Sequence, residues 1–495
     1  MPQTLQNRIA GRPVPSAATD TLENRDPATG EVLALVPLGG RADVDAAVAA
    51  AAEAQRTWAR VAPQVRARAL YRLRDALDAR REDLAALVTR DMGKTTDDAL
   101  AEVGRGIESV EAAMTAPHLL KGQTLEGIGT GVDVELHRQP LGVVAGITPF
   151  NFPVMIPLWF LPYAVAAGNA FILKPSEQDP LASELIVEIA TSIDAFPPGL
   201  ISLVHGGPDV VNALLDHPGI EAISFVGSAK TARYVATRAT ENGKRVQALG
   251  GAKNAMIVLP DADPELMSKQ VCASAFGAAG QRCMAGSVLV LAGTREEQDR
   301  ALSSVVEVAR GLVSGAGDDP GVDVCPVVSS SVRERLVSDV GAAEADGVRV
   351  VLDGRAADAG PGGANLGPTI LDDVPADHPV AVEELFGPVL AVVRVGDLDE
   401  AIDFANQSRY GNSTILFSES GGAAQRFRTS AQAGMLGVNI CVAAPIAWMP
   451  FGGWKDSIDA DLSANGDDAF RFFTRQKVVT TRWAGTGTVS TGMRF

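Results

Sequence analysis

Apolar segments alternate with amphipathic ones through the middle of the chain. Short runs rich in Val, Ile, Leu and Phe predict β-strands at 141–150, 171–177, 200–207 and 222–230. Longer segments with helical periodicity separate these runs. Strands that alternate with helices predict a parallel sheet whose two faces are covered by helices.

Different patterns flank this region. A short hairpin is predicted at 26–40, and helical periodicity follows as far as residue 117. A second series of strands and helices extends over 256–448. Residues 132–139 and 470–483 alternate in the manner of free strands outside the core. An exposed strand edge needs a partner, so these two segments predict oligomerisation.

The composition narrows the class of partner. The 495 residues include 60 acidic and 43 basic side chains, with a net charge of −17. This balance argues against nucleic acid as a partner, because phosphate binding requires a basic face. No segment reaches the roughly 18 consecutive apolar residues of a membrane span. The length predicts two or three domains.

The metal-binding and redox-active residue types are scattered. The four cysteines form no CxxC pair, and the five histidines form no HExxH pattern. Neither a disulfide framework nor a metal site is therefore predicted. With no secretion signal at the N-terminus, we expect a cytoplasmic protein in a reducing compartment.

Cys283 is the strongest candidate for a reactive side chain. It lies in GAAGQRCMAGS, residues 277–287, where small residues leave room for a substrate to approach the sulfur. A thiolate attacks carbonyl carbon well, and the adjacent Arg282 would lower the thiol pKa. The alternative is that Cys283 is a small buried hydrophobic residue, as free cysteines often are.

Further candidate residues follow the predicted strands. Asn151 directly follows the first strand, 174–177 form the carboxyl end of the second, and Gly227 and Ser228 lie near the carboxyl end of the fourth. Ligands of parallel sheets bind at these carboxyl ends. For Asn151 a local turn and for Ser228 a helix N-cap are the structural alternatives. No GxGxxG dinucleotide motif occurs in the chain.

Seven motifs occur in a fixed order between residues 141 and 457: ITPFNFP, FILKPSE, SFVGS, ALGGAKN, GAAGQRCMAGS, EELFGPV and PFGGWKDS. In this order the chain resembles the aldehyde dehydrogenase superfamily. The segments KPSEQDP, GQRCMA and FTRQKVVTTRW most resemble those of the CoA-acylating methylmalonate-semialdehyde dehydrogenases. The resemblance spans essentially the whole chain.

The resemblance implies an α/β fold with three parts. These are an NAD-binding Rossmann-like domain (1–122 and 141–250), an α/β catalytic domain (251–448) and a protruding β oligomerisation arm (123–140 and 470–495). It also implies a homo-oligomer, either a dimer or a tetramer of paired dimers.

The resemblance also assigns roles to residues of the site. It makes Cys283 the nucleophile and Asn151 the side-chain donor of the oxyanion hole. It makes Arg105 and Arg282 the residues that recognise the substrate carboxylate. The residues it assigns to NAD are Lys174, Ser176, Glu177, Gly227, Ser228, Glu384 and Phe386. A carboxylate at Glu177 would repel a 2′-phosphate, which favours NAD over NADP.

Ala248 indicates how the reaction ends. Hydrolytic members of the superfamily have glutamate here, which acts as the base for water. Without it the thioester should persist until the thiol of coenzyme A attacks. The predicted function is NAD-dependent oxidation of methylmalonate or malonate semialdehyde, with CoA acylation and decarboxylation to propionyl-CoA or acetyl-CoA. A hydrolytic aldehyde dehydrogenase and a non-catalytic relative are the alternatives.

Overall fold

The computed structural model describes residues 2–483. Its N-terminal region contains the strands β1 (Gln3–Thr4), β2 (Asn7–Ile9), β3 (Arg12–Val14), β4 (Thr21–Arg25) and β5 (Val32–Pro37). The helices that follow are α1 (Arg41–Trp58), α2 (Pro63–Ala79), α3 (Arg81–Met92), α4 (Thr96–Ala113) and α5 (Ala116–Leu119). The predicted hairpin is therefore formed by β4 and β5 and starts at Thr21 rather than at residue 26. Two arm strands come next, β6 (Gln123–Gly129) and β7 (Val132–Pro140).

The first large sheet contains the alternation predicted from the apolar runs. Its parallel strands are β8 (Val143–Ile147), β9 (Ala170–Lys174), β10 (Ile201–Leu203), β11 (Ile220–Val226) and β12 (Arg245–Leu249). The helices between them are α6 (Met155–Ala167), α7 (Leu181–Thr191), α8 (Pro208–Asp216) and α9 (Ala229–Glu241). The strand order β12-β11-β8-β9-β10 reverses direction at β8. Such a switch point leaves a crevice at the carboxyl ends of β8 and β11.

The second large sheet follows directly along the chain. Its strands are β13 (Asn254–Val258), β14 (Gly286–Ala292), β15 (Arg349–Leu352), β16 (Thr369–Asp372), β17 (Val389–Val395), β19 (Ser413–Phe417) and β20 (Met435–Val438), with the short β18 (Tyr410–Gly411) beside it. The helices are α10 (Pro264–Phe276), α11 (Arg295–Arg310), α12 (Ser330–Ala345), α13 (Pro379–Val382), α14 (Leu398–Gln407) and α15 (Gly421–Ser430). The order is β15-β16-β17-β14-β13-β19-β20, and only β15 runs antiparallel to its neighbour.

Apolar side chains cover both faces of the second sheet. Along β13, Ala255 and Ile257 belong to one buried cluster, whereas Met256 and Val258 belong to another. Successive side chains of a strand point to opposite faces, so β13 is buried on both sides. The α/β architecture predicted from the sequence is thereby confirmed.

The C-terminal segment returns to the first sheet. It contains β21 (Trp454–Lys455), β22 (Ile458–Asp459), α16 (Gly466–Phe472) and β23 (Thr474–Arg482). The prediction of a strand from residue 470 is wrong for its first residues, which are helical. Phe470 packs edge-on against Tyr163 with the ring centres 5.3 Å apart, so burial in the core holds this turn in a helix. Residues 484–495 of the predicted arm lie outside the described part of the chain.

β23, β7 and β6 form the three-stranded arm. β23 pairs with β7 over nine residues, from Thr474 opposite Pro140 to Arg482 opposite Val132. Most arm side chains are exposed, including Leu125 at 64% and Val478 at 61%. The arm is thus a partly exposed sheet in which apolar side chains such as these lie among charged and polar ones.

Candidate active site

Cys283 lies in the loop between α10 and β14. Before it, Ala278 and Ala279 adopt the left-handed conformation, with φ of 49° and 52°, which turns the chain sharply. A Cβ atom at Gly280 would lie 2.3 Å from the carbonyl oxygen of Gly387. Only glycine permits so close an approach, which brings the Cys283 loop against the loop that precedes β17.

Two buried asparagines hold the backbone of Cys283. The Nδ2 atoms of Asn254 and Asn412 donate to the Cys283 carbonyl oxygen at 2.9 and 2.8 Å. Asn254 also donates to the carbonyl oxygen of Ala285 at 2.9 Å. The sequence did not lead us to predict either asparagine as a site residue. The only signal for them is a polar amide at the start of an apolar strand.

Cys283 lines two cavities. The larger has a volume of about 70 Å³, which suits a substrate of a few carbon atoms. Its polar lining consists of Arg105, Ser109, Arg282 and Asn465, and its apolar lining includes Phe152, Trp159 and Phe451. The second cavity is lined by Cys283, Arg282, Glu384 and Phe386, among others. The structure therefore brings the predicted nucleophile next to the predicted substrate arginines and to two predicted cofactor residues.

Burial has the largest effect on the pKa of the Cys283 thiol. It raises the pKa of the Cys283 thiol to about 12, and the negative charge of Glu384 raises it further. Arg282 and the backbone N–H groups of Cys283 and Met284 act in the opposite direction. Arg282 thus lowers the pKa as predicted, but burial outweighs its effect. The thiol is protonated at neutral pH, so it must lose its proton when the sulfur attacks.

The two arginines differ in what they contact. Arg282 turns back toward the last turn of α10, where its Nη2 donates to backbone carbonyls that include Ser274 at 2.8 Å. A cation at a helix C-terminus stabilises the helix, so Arg282 has a structural role there. Arg105, on α4, pairs with Glu108 at 2.5 Å and also donates to the carbonyl oxygen of Pro445.

Asn151 is buried in the loop after β8. Its Nδ2 donates to the carbonyl oxygen of Gln281 at 2.9 Å, two residues before the nucleophile. The neighbouring Phe150 contacts Phe386 edge to face, with ring centres 5.8 Å apart. The Asn151 loop thus contacts the Cys283 loop through Gln281 and contacts Phe386, which lines the second cavity.

Lys174, Ser176 and Glu177 lie at the carboxyl end of β9. Lys174 is buried, and its Nζ pairs with Oε2 of the half-buried Glu177 at 2.6 Å. The Ser176 hydroxyl accepts a hydrogen bond from the backbone N–H of Gln178 at 3.1 Å. A fixed, partly accessible carboxylate of this kind suits the two hydroxyl groups of a ribose.

Gly227 and Ser228 form the turn between β11 and α9. The Gly227 N–H donates to the carbonyl oxygen of Leu249 at 3.1 Å, and Ser228 caps α9 by accepting from Thr231 N–H at 3.3 Å. The first turn of α9 contains Lys230 and no acidic residue. The N-terminus of this 13-residue helix therefore suits the negative charge of a pyrophosphate. The helix N-cap considered for Ser228 is present.

Glu384 contacts the segment that follows β12 and lines a cavity with Cys283. Its Oε1 accepts from the backbone N–H of Ala252 at 2.9 Å, in the segment that follows β12. Burial raises the pKa of the Glu384 carboxyl, while Ala252 N–H and the charges of Lys253 and Arg335 lower it. A half-buried carboxylate that lines a cavity with Cys283 can accept hydrogen bonds from a ribose or take up a proton.

Lys253 was not predicted as a site residue. Its side chain is buried, and Nζ has no hydrogen-bond partner among residues 2–483. Burial lowers the pKa of this ammonium group to about 7, although Glu384 and Glu383 raise it. The sequence offered only a lysine before an apolar strand, and lysines in such places are often exposed at the tip of their side chain.

Replacing Lys253 with methionine should stabilise the protein by an amount on the order of 4 kcal/mol at pH 7. In the wild type the unfolded chain binds a proton between pH 7 and 10.5 that the folded chain does not. Stability should therefore rise with pH across this window, and Lys253→Met should lack that part of the rise. Urea unfolding at pH 7 and pH 9.5 measures both effects.

Lys244 provides the matched control. It is as buried as Lys253, each being 6% exposed, but its Nζ donates to the carbonyl oxygens of His217 and Ile220. Lys244→Met leaves two buried acceptors unpaired, so it should destabilise the fold. Equal losses of stability in the two variants would contradict the assignment of Lys253 as an unpaired buried amine.

Two further properties of the described residues bear on the site. Between residues 2 and 483 no group of three or more His, Cys, Asp or Glu side chains is placed to hold a metal ion. Nor does any helix in this range combine the length and apolarity that crossing a membrane requires.

Comparisons with known proteins show which family the chain belongs to. Residues 14–479 match the model of the aldehyde dehydrogenase family. Malonate-semialdehyde dehydrogenase 1 of Geobacillus kaustophilus is 48% identical over 480 residues, which cover 97% of this chain and 98% of that protein. Malonate-semialdehyde dehydrogenase 3 of Bacillus cereus is 46% identical over 482 residues, 97% of this chain and 98% of that protein.

Solved structures are similar over the same extent. The crystal structure of methylmalonate-semialdehyde dehydrogenase from Oceanimonas doudoroffii has a TM-score of 0.95 and 41% identity, covering 98% of this chain and 99% of that one. A Sinorhizobium meliloti protein solved in complex with NAD has a TM-score of 0.96 and 40% identity, with the same coverage. Family model, sequence relatives and structures thus agree over nearly the full length, and this chain belongs to the aldehyde dehydrogenase family.

Proposed function

We propose that this protein uses NAD to oxidise malonate semialdehyde or methylmalonate semialdehyde, and that it transfers the acyl group to coenzyme A with loss of CO₂. The products are acetyl-CoA or propionyl-CoA. The observation that carries this proposal is the position of Cys283 between an arginine-lined cavity and a cavity that contains Glu384. The relatives named for malonate semialdehyde, at 46–48% identity, support the choice of substrate.

The oxidation begins at the Cys283 sulfur. The Cys283 thiol first gives its proton to the Glu384 carboxylate or to water. The thiolate then adds to the aldehyde carbon, and the carbonyl oxygen becomes an oxyanion that accepts hydrogen bonds from Asn151 Nδ2 and from Cys283 N–H. The oxyanion re-forms the carbonyl as hydride leaves the same carbon, which produces a thioester on Cys283. NAD, held by the residues at Lys174, Ser228 and Glu384, supplies the hydride acceptor.

Decarboxylation follows from the structure of the thioester. Its carboxylate is β to the thioester carbonyl, so the electrons of the bond to CO₂ move into a thioester enolate. Uptake of one proton at the α-carbon gives the acetyl or propionyl thioester. The thiolate of coenzyme A then attacks the carbonyl carbon and expels the Cys283 thiolate, which restores the enzyme.

The acid–base groups around Cys283 favour a thiol over water as the final nucleophile. Among the described residues that line the two cavities, Glu384 is the only carboxylate. Ala248, at the position where hydrolytic relatives have their base, is fully buried within β12. Water therefore lacks a dedicated base, whereas a thiol with its lower pKa needs less assistance.

Hydrolysis is the second candidate, because Glu384 itself could activate water. Its half-buried carboxylate lines a cavity with Cys283, and its raised pKa makes it a better base than an exposed carboxylate. In that case the free acid would be released and coenzyme A would be unnecessary.

The test is NADH formation from both semialdehydes, with and without coenzyme A, with acyl products followed by mass spectrometry. We expect sustained turnover and acetyl-CoA or propionyl-CoA when coenzyme A is present. Without it, we expect a burst of one NADH per active site and then a rate at least about tenfold lower. An undiminished rate and free acid without coenzyme A would establish the hydrolytic reaction instead.

We also propose that the arm joins copies of the chain into a homo-oligomer, dimer or tetramer. The exposed apolar side chains of Leu125 and Val478 support this role. The division into an NAD-binding domain, a catalytic domain and an arm remains our proposal at the boundaries predicted from the sequence. The cytoplasmic location likewise remains a prediction.

A further inference from the structure

Asn465 combines three features that its position before α16 does not explain. Its side chain lines the larger cavity together with Cys283 and Arg105. The residue is 3% exposed, and its Oδ1 has no hydrogen-bond partner among residues 2–483. Its backbone has φ 63° and ψ 177°, a conformation that is almost restricted to glycine.

The usual role of an asparagine at this position is not fulfilled. Asn465 is the N-cap residue of α16, and asparagine is favoured there because its side chain accepts from the first backbone N–H groups. In this protein it makes no side-chain cap hydrogen bond. The backbone is anchored instead, since Gly466 N–H donates to the Ala447 carbonyl oxygen at 3.1 Å. The fold thus keeps a strained asparagine whose amide serves neither the helix nor a neighbouring side chain.

The arginines of the same cavity are already partly engaged, although Nε of Arg282 has no hydrogen-bond partner among residues 2–483. The guanidinium of Arg282 donates to carbonyl groups at the end of α10, and Arg105 is paired with Glu108 at 2.5 Å. A substrate carboxylate has four lone-pair sites to satisfy when it leaves water, more than one partly neutralised arginine provides. A further uncharged donor would complete the set without adding another buried charge.

We propose that Asn465 is a specificity-determining residue that, with Arg105, hydrogen-bonds the carboxylate of the semialdehyde substrate. This inference rests on the proposed function, because it requires a substrate with a carboxylate. The Asn465 side chain lines the cavity, and its NH₂ group is an uncharged donor of the kind that a carboxylate needs. The strained backbone fixes the amide at this point of the cavity wall.

The glycine variant provides the first test. Asn465→Gly removes the amide, and it should fold at least as well as the wild type because glycine favours this backbone conformation. We expect KM for malonate semialdehyde to rise about tenfold, because the substrate loses one hydrogen bond to its charged carboxylate. We expect kcat/KM for propanal, which has no carboxylate, to change less than about twofold.

The aspartate variant tests the charge at the same place. Asn465→Asp has nearly the same shape but places a negative charge against the substrate carboxylate. KM for malonate semialdehyde should rise at least about a hundredfold, again with little change for propanal. Malonate should inhibit propanal oxidation most strongly in the wild type, less strongly in Asn465→Gly and least in Asn465→Asp.

Val442→Ala is the matched control, since Val442 lines the same cavity with an apolar side chain. It should affect the two aldehydes to a similar degree. If the wild type does not prefer malonate semialdehyde to propanal, the proposed function is wrong and this inference fails with it. If the wild type has that preference and Asn465→Gly retains it unchanged, only the role of Asn465 is wrong.

Discussion

Cys283→Ala is expected to abolish NADH formation from any aldehyde, with a loss of at least about 10⁴-fold in kcat. The reaction we propose runs through a covalent bond to the Cys283 sulfur, and alanine offers no atom that can form it. Single-turnover measurements with saturating NAD should show no burst, and mass spectrometry of the quenched protein should show no acyl adduct.

The fold should survive this substitution. Cys283 is half-buried in a loop fixed by backbone contacts, such as the hydrogen bonds of Asn254 and Asn412 to its carbonyl oxygen. NAD binding, followed by fluorescence quenching, should therefore be retained. A variant that bound NAD normally and still produced NADH at more than one-hundredth of the wild-type rate would place the nucleophile elsewhere.

Cys272 provides a matched control for the loss of a thiol. It is buried in α10, and its Sγ lies 3.5 Å from the carbonyl oxygen of Val305, away from both cavities. Cys272→Ala should lower the free energy of unfolding by about 1 kcal/mol through lost packing. Its kcat should remain within about twofold of the wild-type value.

Asn151→Ala is expected to lower kcat by about 10²- to 10³-fold, the usual cost of removing one oxyanion donor. The Asn151 amide lies in a buried site, where a hydrogen bond to developing charge is stronger than in water. Because the oxyanion forms only after attack, KM should change little compared with kcat. Steady-state kinetics and the pre-steady-state burst rate measure the effect.

Asn151→Asp tests whether the hydrogen-bond donor or the shape of the side chain matters, because it removes the donor and keeps the shape. A carboxylate would repel the oxyanion, so this variant should be at least as impaired as Asn151→Ala. Asn212, whose Oδ1 accepts from the Tyr234 hydroxyl at 2.7 Å on the surface, is the control, and Asn212→Ala should leave kcat unchanged. A fall in kcat/KM caused entirely by KM would make Asn151 a binding residue instead.

The sequence was sufficient to predict the α/β fold because the signals for it are local. Apolar runs of five to ten residues, separated by helical segments, predict parallel strands wherever the chain forms a large core. The boundaries of individual helices and strands also depend on contacts between distant residues. Residues 470–472 alternate Phe, Arg and Phe as a strand would, but Phe470 packs against Tyr163, and this long-range contact keeps the segment helical.

Some residues of the candidate site could likewise be predicted from local sequence, and others could not. Cys283, Asn151 and Glu384 were predicted because they stand in ordered motifs of specific composition. Lys253 and Asn465 were not, since a lysine in GGAKN and an asparagine in SANG have no distinctive local pattern. What singles them out is burial without a partner, which depends on residues far away in the chain.

By itself, the sequence determined which chemical groups this protein has and the order of the elements that carry them. It supplied a thiol among small residues, an amide after the first parallel strand and no carboxylate at position 248. The tertiary structure alone decided how these groups behave. Burial raises the pKa of Cys283 and lowers that of Lys253, and Nη2 of Arg282 donates to carbonyl groups of α10. Acidity and hydrogen bonding depend on surroundings assembled from distant segments, and the fold provides those surroundings.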